Sequence, residues 1–280
     1  MPSRVNWKAV HGDDFRVPDH VPLIDLTAEL TAMLGSIDPQ LRDGVASRTL
    51  STWISRGIYD DLLPGLGDGM TAGLSEGLGR RDDDSVFRRS SSALIVRSCI
   101  ERDNQRPLVS GGKVLDWGDR VATWLLREVD IRGFVPGRGW AHAVAHGADT
   151  IGTLAGSPHL GAAELAVLLD VIGERVCLPV EHLFVNGEPD RLAAAAVALL
   201  RRERVPFDVV EGWLAHLLST RPVTTDLHRD PYLGRGNLEA FVRGLYLQLA
   251  LGPEPPATRA DLVLLLVDAL RELNPSLRRG

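Results

Sequence analysis

The chain has few aromatics, few cysteines, almost no lysine and no long apolar run, and each scarcity removes a class of protein. Aromatic residues make up 5% of its 280 positions. Leu, Val and Ala must therefore fill most of the interior, which favours closely packed helices over an aromatic-rich sheet sandwich. Its two cysteines, Cys99 and Cys177, supply neither a disulfide framework nor a zinc spacing, and in apolar helical contexts they read as buried, reduced thiols. The longest apolar runs, Leu192–Leu200 and Leu262–Val267, are too short to cross a membrane. The first residues lead into charged positions without an apolar stretch, so no signal peptide is expected and the cytoplasm is the expected compartment.

A surplus of positive charge is also missing. The net charge is −6 and the pI about 5.8, which argues against general affinity for nucleic acid, because phosphate binding needs a positive surface. The pairs Arg201-Arg202 and Arg278-Arg279 read as solvated helix ends, where positive charge suits the macrodipole. Lys8 and Lys113 are the only lysines, an arginine preference that reads as GC-rich bacterial coding. The chain carries no phosphate-binding Gly-rich loop ending in Lys-Ser/Thr and no dinucleotide fingerprint, so nucleotide-driven chemistry of the usual kinds is not expected.

What is present is helical periodicity. Leu23, Leu26, Leu30 and Leu34 mark a first helix, and Asp38-Pro39 is a cap signature for a second through Leu41, Val45 and Trp53. Pro64, Gly65, Gly67 and Gly69 are expected to interrupt the next stretch. Further helices are expected from Ser85 past Cys99, through Val121 and Trp124, over 139–155, over 161–177, from Glu188 to about Arg202, from Pro206 to about Thr220, from Asn237 to Leu251, and over 258–273. Short Pro/Gly connections make neighbouring helices antiparallel. The expectation is one all-α domain over 1–280, with residues 1–21 as an N-terminal extension and about 22–275 as the body. Antiparallel helix pairs stacked as an irregular HEAT-like α-solenoid fit this spacing, and an irregular helical bundle is the alternative.

Residues 137–150 hold the constellation that looks chosen for chemistry. His142, His146 and Asp149 stand at i, i+4 and i+7, and on a helix would share one face. Two imidazoles and a carboxylate there can bind a divalent metal, share a proton or lock a buried joint. The metallohydrolase pattern His-Glu-x-x-His has Ala143 in place of its Glu, so that reading loses its usual base. Glu128, Asp130 and Arg132 lead into the segment and Trp140 sits beside Gly139, so a hydrogen-bonded structural network competes with either functional reading. Three other patches stand out. Arg56 with Asp60 and Asp61 reads as a capped turn with a local ion pair. Arg88-Arg89-Ser90-Ser91-Ser92 reads as a phosphate nook or as small packing residues, and Leu227-His228-Arg229-Asp230-Pro231-Tyr232 as a polar surface loop.

The blocks Val86–Leu94, Glu128–Phe134, Gly139–Asp149 and Asn237–Tyr246 come in that order, and with them the chain resembles the bacterial family known as domain of unknown function 2785. The resemblance covers about residues 25–275, and Gly139-Trp140-Ala141-His142…Ala145-His146-Gly147-Ala148-Asp149 is its most specific part. Ser91 departs from it, standing where the family's stretch carries an aromatic. The resemblance implies a helical, HEAT-like bacterial protein without an established activity. Whether the chain is an enzyme stays open. The leading expectation is a cytosolic protein that binds a small molecule or a peptide or protein partner on a concave face formed by Trp140, His142, His146, Asp149, Asp130 and Arg132, with no cofactor. The first alternative is a metal-dependent hydrolase-like enzyme with His142, His146 and Asp149 as ligands and Asp130 or Glu128 as base, and the second is a structural adaptor.

Overall fold

A computed structural model describes residues 5–220, 230–274 and 276. Leu227, His228 and Arg229 of the polar loop, and Arg278-Arg279, lie outside the described residues. The chain is all-α, the described strands being one pair of two residues each. It divides into two compact units, Met1–Thr150 and Ile151–Gly280. Among the described residues no helix is long and apolar enough to cross a membrane.

The first unit contains α1 (Trp7–Gly12), α2 (Leu23–Met33), a π-helical run over Gln40–Ser47 that continues into α3 (Arg48–Ser55), α4 (Leu63–Gly73), α5 (Ser85–Gln105), α6 (Gly111–Arg127), strands β1 (Phe134–Val135) and β2 (Gly139–Trp140), and the start of α7 (Ala143–Ala155). Trp7 and Val10 of α1 are buried, so the N-terminal stretch contributes to the core. Asp38 Oδ1 accepts the Gln40 amide at 2.8 Å, as the cap signature implies. In the π-helical run Arg42 is turned inward and Leu41 outward.

Helix α5 is the centre of this unit and packs against α3, α4, α6 and the π-helical run. It is buried almost all round, with Phe87, Ile95, Val96 and Cys99 beside Arg89, Ser90, Ser91, Ser92 and Asp103. An α-helix covered on all faces cannot show a clean apolar stripe, and its polar side chains need protein partners. Trp53, Trp117 and Trp124 are wholly buried, and each indole N–H donates: to the Phe15 carbonyl at 2.6 Å, to Asp68 Oδ1 at 2.9 Å and to Glu128 Oε2 at 3.0 Å.

One expectation fails here. Gly65, Gly67 and Gly69 do not interrupt the chain, because α4 runs straight through them. Pro64 occupies the first turn, where its missing N–H costs nothing. A Cβ on Gly67 would lie 2.1 Å from Trp117 Cζ2, so this glycine is the floor on which the indole rests. Tertiary contact overrides the low helix propensity of glycine.

The second unit contains α8 (Ala162–Cys177), α9 (Glu188–Leu200), α10 (Phe207–Ser219), α11 (Gly236–Leu251) and α12 (Arg259–Leu273), near the expected bounds. Helix α11 packs on α8, α9 and α12. The approach to α9 is close because Ala193 meets Gly244, whose added Cβ would sit 3.4 Å from the Ala193 methyl. The alanine run therefore serves as a small-residue contact.

Candidate functional site

Helix α7 begins later than the periodicity suggests. The helix expected over 139–155 starts at Ala143, and the preceding residues form a hairpin. Val135-Pro136-Gly137-Arg138-Gly139 makes its turn, with Gly137 at φ 75° and Gly139 at φ 78°. L-residues with a side chain rarely adopt that region. Gly139 also packs tightly, since a Cβ there would meet Arg42 Nη2 at 3.1 Å and Pro39 Cβ at 3.2 Å.

Buried arginines hold the hairpin in place. Arg42 Nη2 donates to the Arg138 carbonyl at 2.8 Å and Nη1 to the Ser36 carbonyl at 2.9 Å, while Nε and Nη2 also form a bidentate pair with Asp43. Its guanidinium lies 4.3 Å from the Phe87 ring centroid. Below the hairpin, Arg89 donates to Glu128 at 2.5 and 2.9 Å, with both side chains wholly buried. Glu128 also accepts from the Asp130 amide at 2.9 Å. Arg132 grips Asp130 at 2.6 and 2.8 Å, and this bond raises the Arg132 pKa above its ordinary value. The two carboxylates considered as catalytic bases are thus both engaged by an arginine.

On the hairpin, Phe134 and Trp140 face each other across the strands. Their rings meet edge to face with centroids 5.1 Å apart, and they remain 53% and 45% exposed. The ladder continues through the Ala141 amide to the Gly133 carbonyl at 2.8 Å and the His142 amide to the Arg132 carbonyl at 3.1 Å.

His142 is therefore not on the helix. Its φ of 50° is left-handed, and its carbonyl accepts the His146 amide at 2.9 Å to open α7. Its ring stacks on Trp140 at 4.2 Å and meets His146 edge-on at 6.0 Å. Ser90 Oγ donates to the Ala141 carbonyl. With that proton committed, His146 Nδ1, 2.7 Å from Ser90 Oγ, is the donor of their bond. Asp149 Oδ2 lies 3.5 Å from Arg97 Nη1 of α5. The structure thus joins Trp140, His142 and His146 in one ring contact, pairs Asp130 with Arg132, and sends Asp149 to α5. Among the described residues no group of three His, Cys, Asp or Glu side chains is placed to hold a metal ion.

The other sequence patches have structural partners. Asp60 pairs with Arg102 at 2.7 Å, and that bond lowers its carboxyl pKa, while Arg56 reaches Asp14. Asp230 caps the Tyr232 amide at 2.8 Å. Sequence reasoning gave no role to Phe134 or Arg42, and singled out the other anchors, Arg89 and Ser90, as a phosphate nook or packing residues, whereas they bond Glu128, the Ala141 carbonyl and His146. A signal for Phe134 exists, because Phe-Val-Pro-Gly-Arg-Gly-Trp is two aromatics flanking a Pro-Gly turn, a hairpin pattern. The anchors act over long sequence separations and leave no local signal.

A family model described as protein of unknown function (DUF2785) matches residues 74–247. The match spans more than half of the chain and includes Phe134, Trp140, His142 and His146. No curated protein and no solved structure matches the chain.

Proposed function

This chain belongs to the DUF2785 family, whose description assigns no activity, and from that premise we propose that it is a non-enzymatic binding protein. Its partner is a peptide segment whose apolar or aromatic side chain packs on Phe134 and Trp140. The observation that carries this reading is the exposure of both rings, 53% and 45%, on a backbone pinned by Arg42 and Arg132. Aromatic side chains held rigidly at a surface give large contact area at little entropy cost, and tryptophan is enriched among residues that dominate binding energy. His142 stacked on Trp140 fixes the indole, which keeps 45% of its surface exposed for a partner. The engaged carboxylates Glu128 and Asp130 favour binding over acid-base chemistry.

Selection of a random displayed-peptide library on the immobilised full chain tests this. Recovered peptides should lose about tenfold or more in affinity, ~1.4 kcal/mol, for Trp140→Ala and for Phe134→Ala, while each variant keeps its cooperative melt. Peptides that bind both variants as tightly as the parent would overturn the reading.

A further inference from the structure

Four arginines of the first unit share one arrangement. Arg42 with Asp43, Arg89 with Glu128, Arg102 with Asp60 and Arg132 with Asp130 each present two guanidinium nitrogens to the two oxygens of one carboxylate. Burying a guanidinium is costly without such compensation. Arg88, whose side chain is 13% exposed, breaks the pattern. It donates to the Thr31 carbonyl, its Nε is buried without an acceptor, and its nearest carboxylate oxygen, on Glu76, is 3.8 Å away. Burial lowers the Arg88 pKa below its ordinary value. A guanidinium has five N–H donors, and among the described residues the Thr31 carbonyl is the acceptor that Arg88 meets at hydrogen-bond distance.

Arg88 is also the arginine that lines a groove. Ala28, Thr31 and Ala32 of α2, the following Gly35 and Ser36, and Glu76 complete an open space of about 600 Å³, within the range that accepts small ligands. Small residues keep it open, and a Cβ on Gly73 would crowd Arg88 Nε at 3.1 Å. The groove thus offers one under-compensated cation, one largely exposed carboxylate beside it, and an alanine and glycine wall.

We propose that this groove binds a free α-amino acid, its carboxylate on Arg88 and its ammonium on Glu76, with the side chain against Ala28 and Ala32. An α-amino acid carries opposite charges on a single carbon, which suits an acid and a base set side by side. A carboxylate on the Arg88 Nη groups supplies the countercharge that its four counterparts receive from Asp or Glu. A phosphate dianion fits less well, because Glu76 repels it and the groove offers it no second cation. This site is separate from the hairpin, so its test does not depend on Trp140.

The test is calorimetric titration of the full chain with the natural L-amino acids, each compared with its carboxamide and its N-acetyl derivative, and with inorganic phosphate. At least one amino acid should saturate, and blocking either charged end should weaken it about tenfold or more, the loss of one charge-assisted contact. Glu76→Gln, a change at an exposed side chain, should weaken the amino acid and leave its N-acetyl derivative unaffected. Arg88→Met should abolish binding if it keeps a cooperative melt, and if it unfolds the Glu76→Gln result decides. The proposal fails if no amino acid saturates, if the carboxamide binds as tightly as the acid, if Glu76→Gln changes nothing, or if phosphate alone binds.

Discussion

The indole of Trp140 and the imidazole of His142 stack at 4.2 Å with planes 27° apart, although the two residues are separated in sequence by Ala141 alone. In an extended strand such neighbours share a face. Here the left-handed turn at His142 ends the strand, keeps its ring behind Trp140 and starts α7 in the same step. A backbone conformation that side chains disfavour is therefore what joins the hairpin to the helix.

Substitutions at His142 should follow that conformation. Asn tolerates positive φ and a β-branched residue does not. His142→Val is expected to destabilise the protein by roughly 1–2 kcal/mol more than His142→Asn, read from urea unfolding midpoints. Equal losses would show that ring stacking, not backbone conformation, dominates at this position.

The buried pair beneath the hairpin should be the costliest point of the site to break. Glu128→Ala leaves Arg89 buried without its carboxylate and removes the acceptor of the Trp124 indole and the Asp130 amide. The expected loss is about 3–5 kcal/mol. The double change Arg89→Met with Glu128→Leu should lose less than Glu128→Ala alone, because it leaves no charge unpaired. Chemical denaturation of the two variants against the parent measures the difference.

The contrast between His142 and the later helices shows what is legible in the sequence. Helices α8 to α12 sit close to where Pro158, Pro179, Pro189, Pro206 and Pro253 place their boundaries, because proline acts locally and its signal survives any tertiary context. Helix α4 escapes a local reading because a helical glycine and a turn glycine look alike until the neighbour pressing on it, Trp117, is known. At the site, the His142–His146 spacing implies one shared helical face, whereas the structure sets only His146 on the helix. The two rings do meet, through a turn, and Asp149 lies 3.5 Å from Arg97 Nη1, remote in sequence. Pairings between distant charges carry no periodic pattern, so the partners of Arg42, Arg89 and Arg97 emerge only in the folded chain.

The glycines of α4 give opposite expected signs within one helix. Gly67→Ala forces a methyl into a wholly buried indole, an overpacking cost of about 1–3 kcal/mol or more. Gly69 is exposed and an added Cβ there meets nothing within 4 Å, so Gly69→Ala should stabilise by roughly 0.5–1 kcal/mol. Thermal melts of the two variants should move in opposite directions, and a stabilised Gly67→Ala would contradict the packing described.

Below Gly67, Asp68 ties the same indole to pH. Asp68 Oδ1 accepts from Trp117 Nε1 at 2.9 Å and Oδ2 receives Lys113 at 2.9 Å. These bonds, the indole first, hold its carboxyl below the ordinary value of 3.8. A carboxyl that binds its proton less readily in the folded state contributes stability that is fully present above its unfolded pKa and is lost as pH falls through the folded one. Asp68→Asn keeps the size of the side chain and removes the titration. The melting-temperature gap between parent and Asp68→Asn should therefore be constant at neutral pH and shrink as pH falls below 3.8. A gap that persists undiminished in acid would mean that Asn disturbs the packing of Trp117, and that the charge of Asp68 contributes nothing to holding α4 against α6.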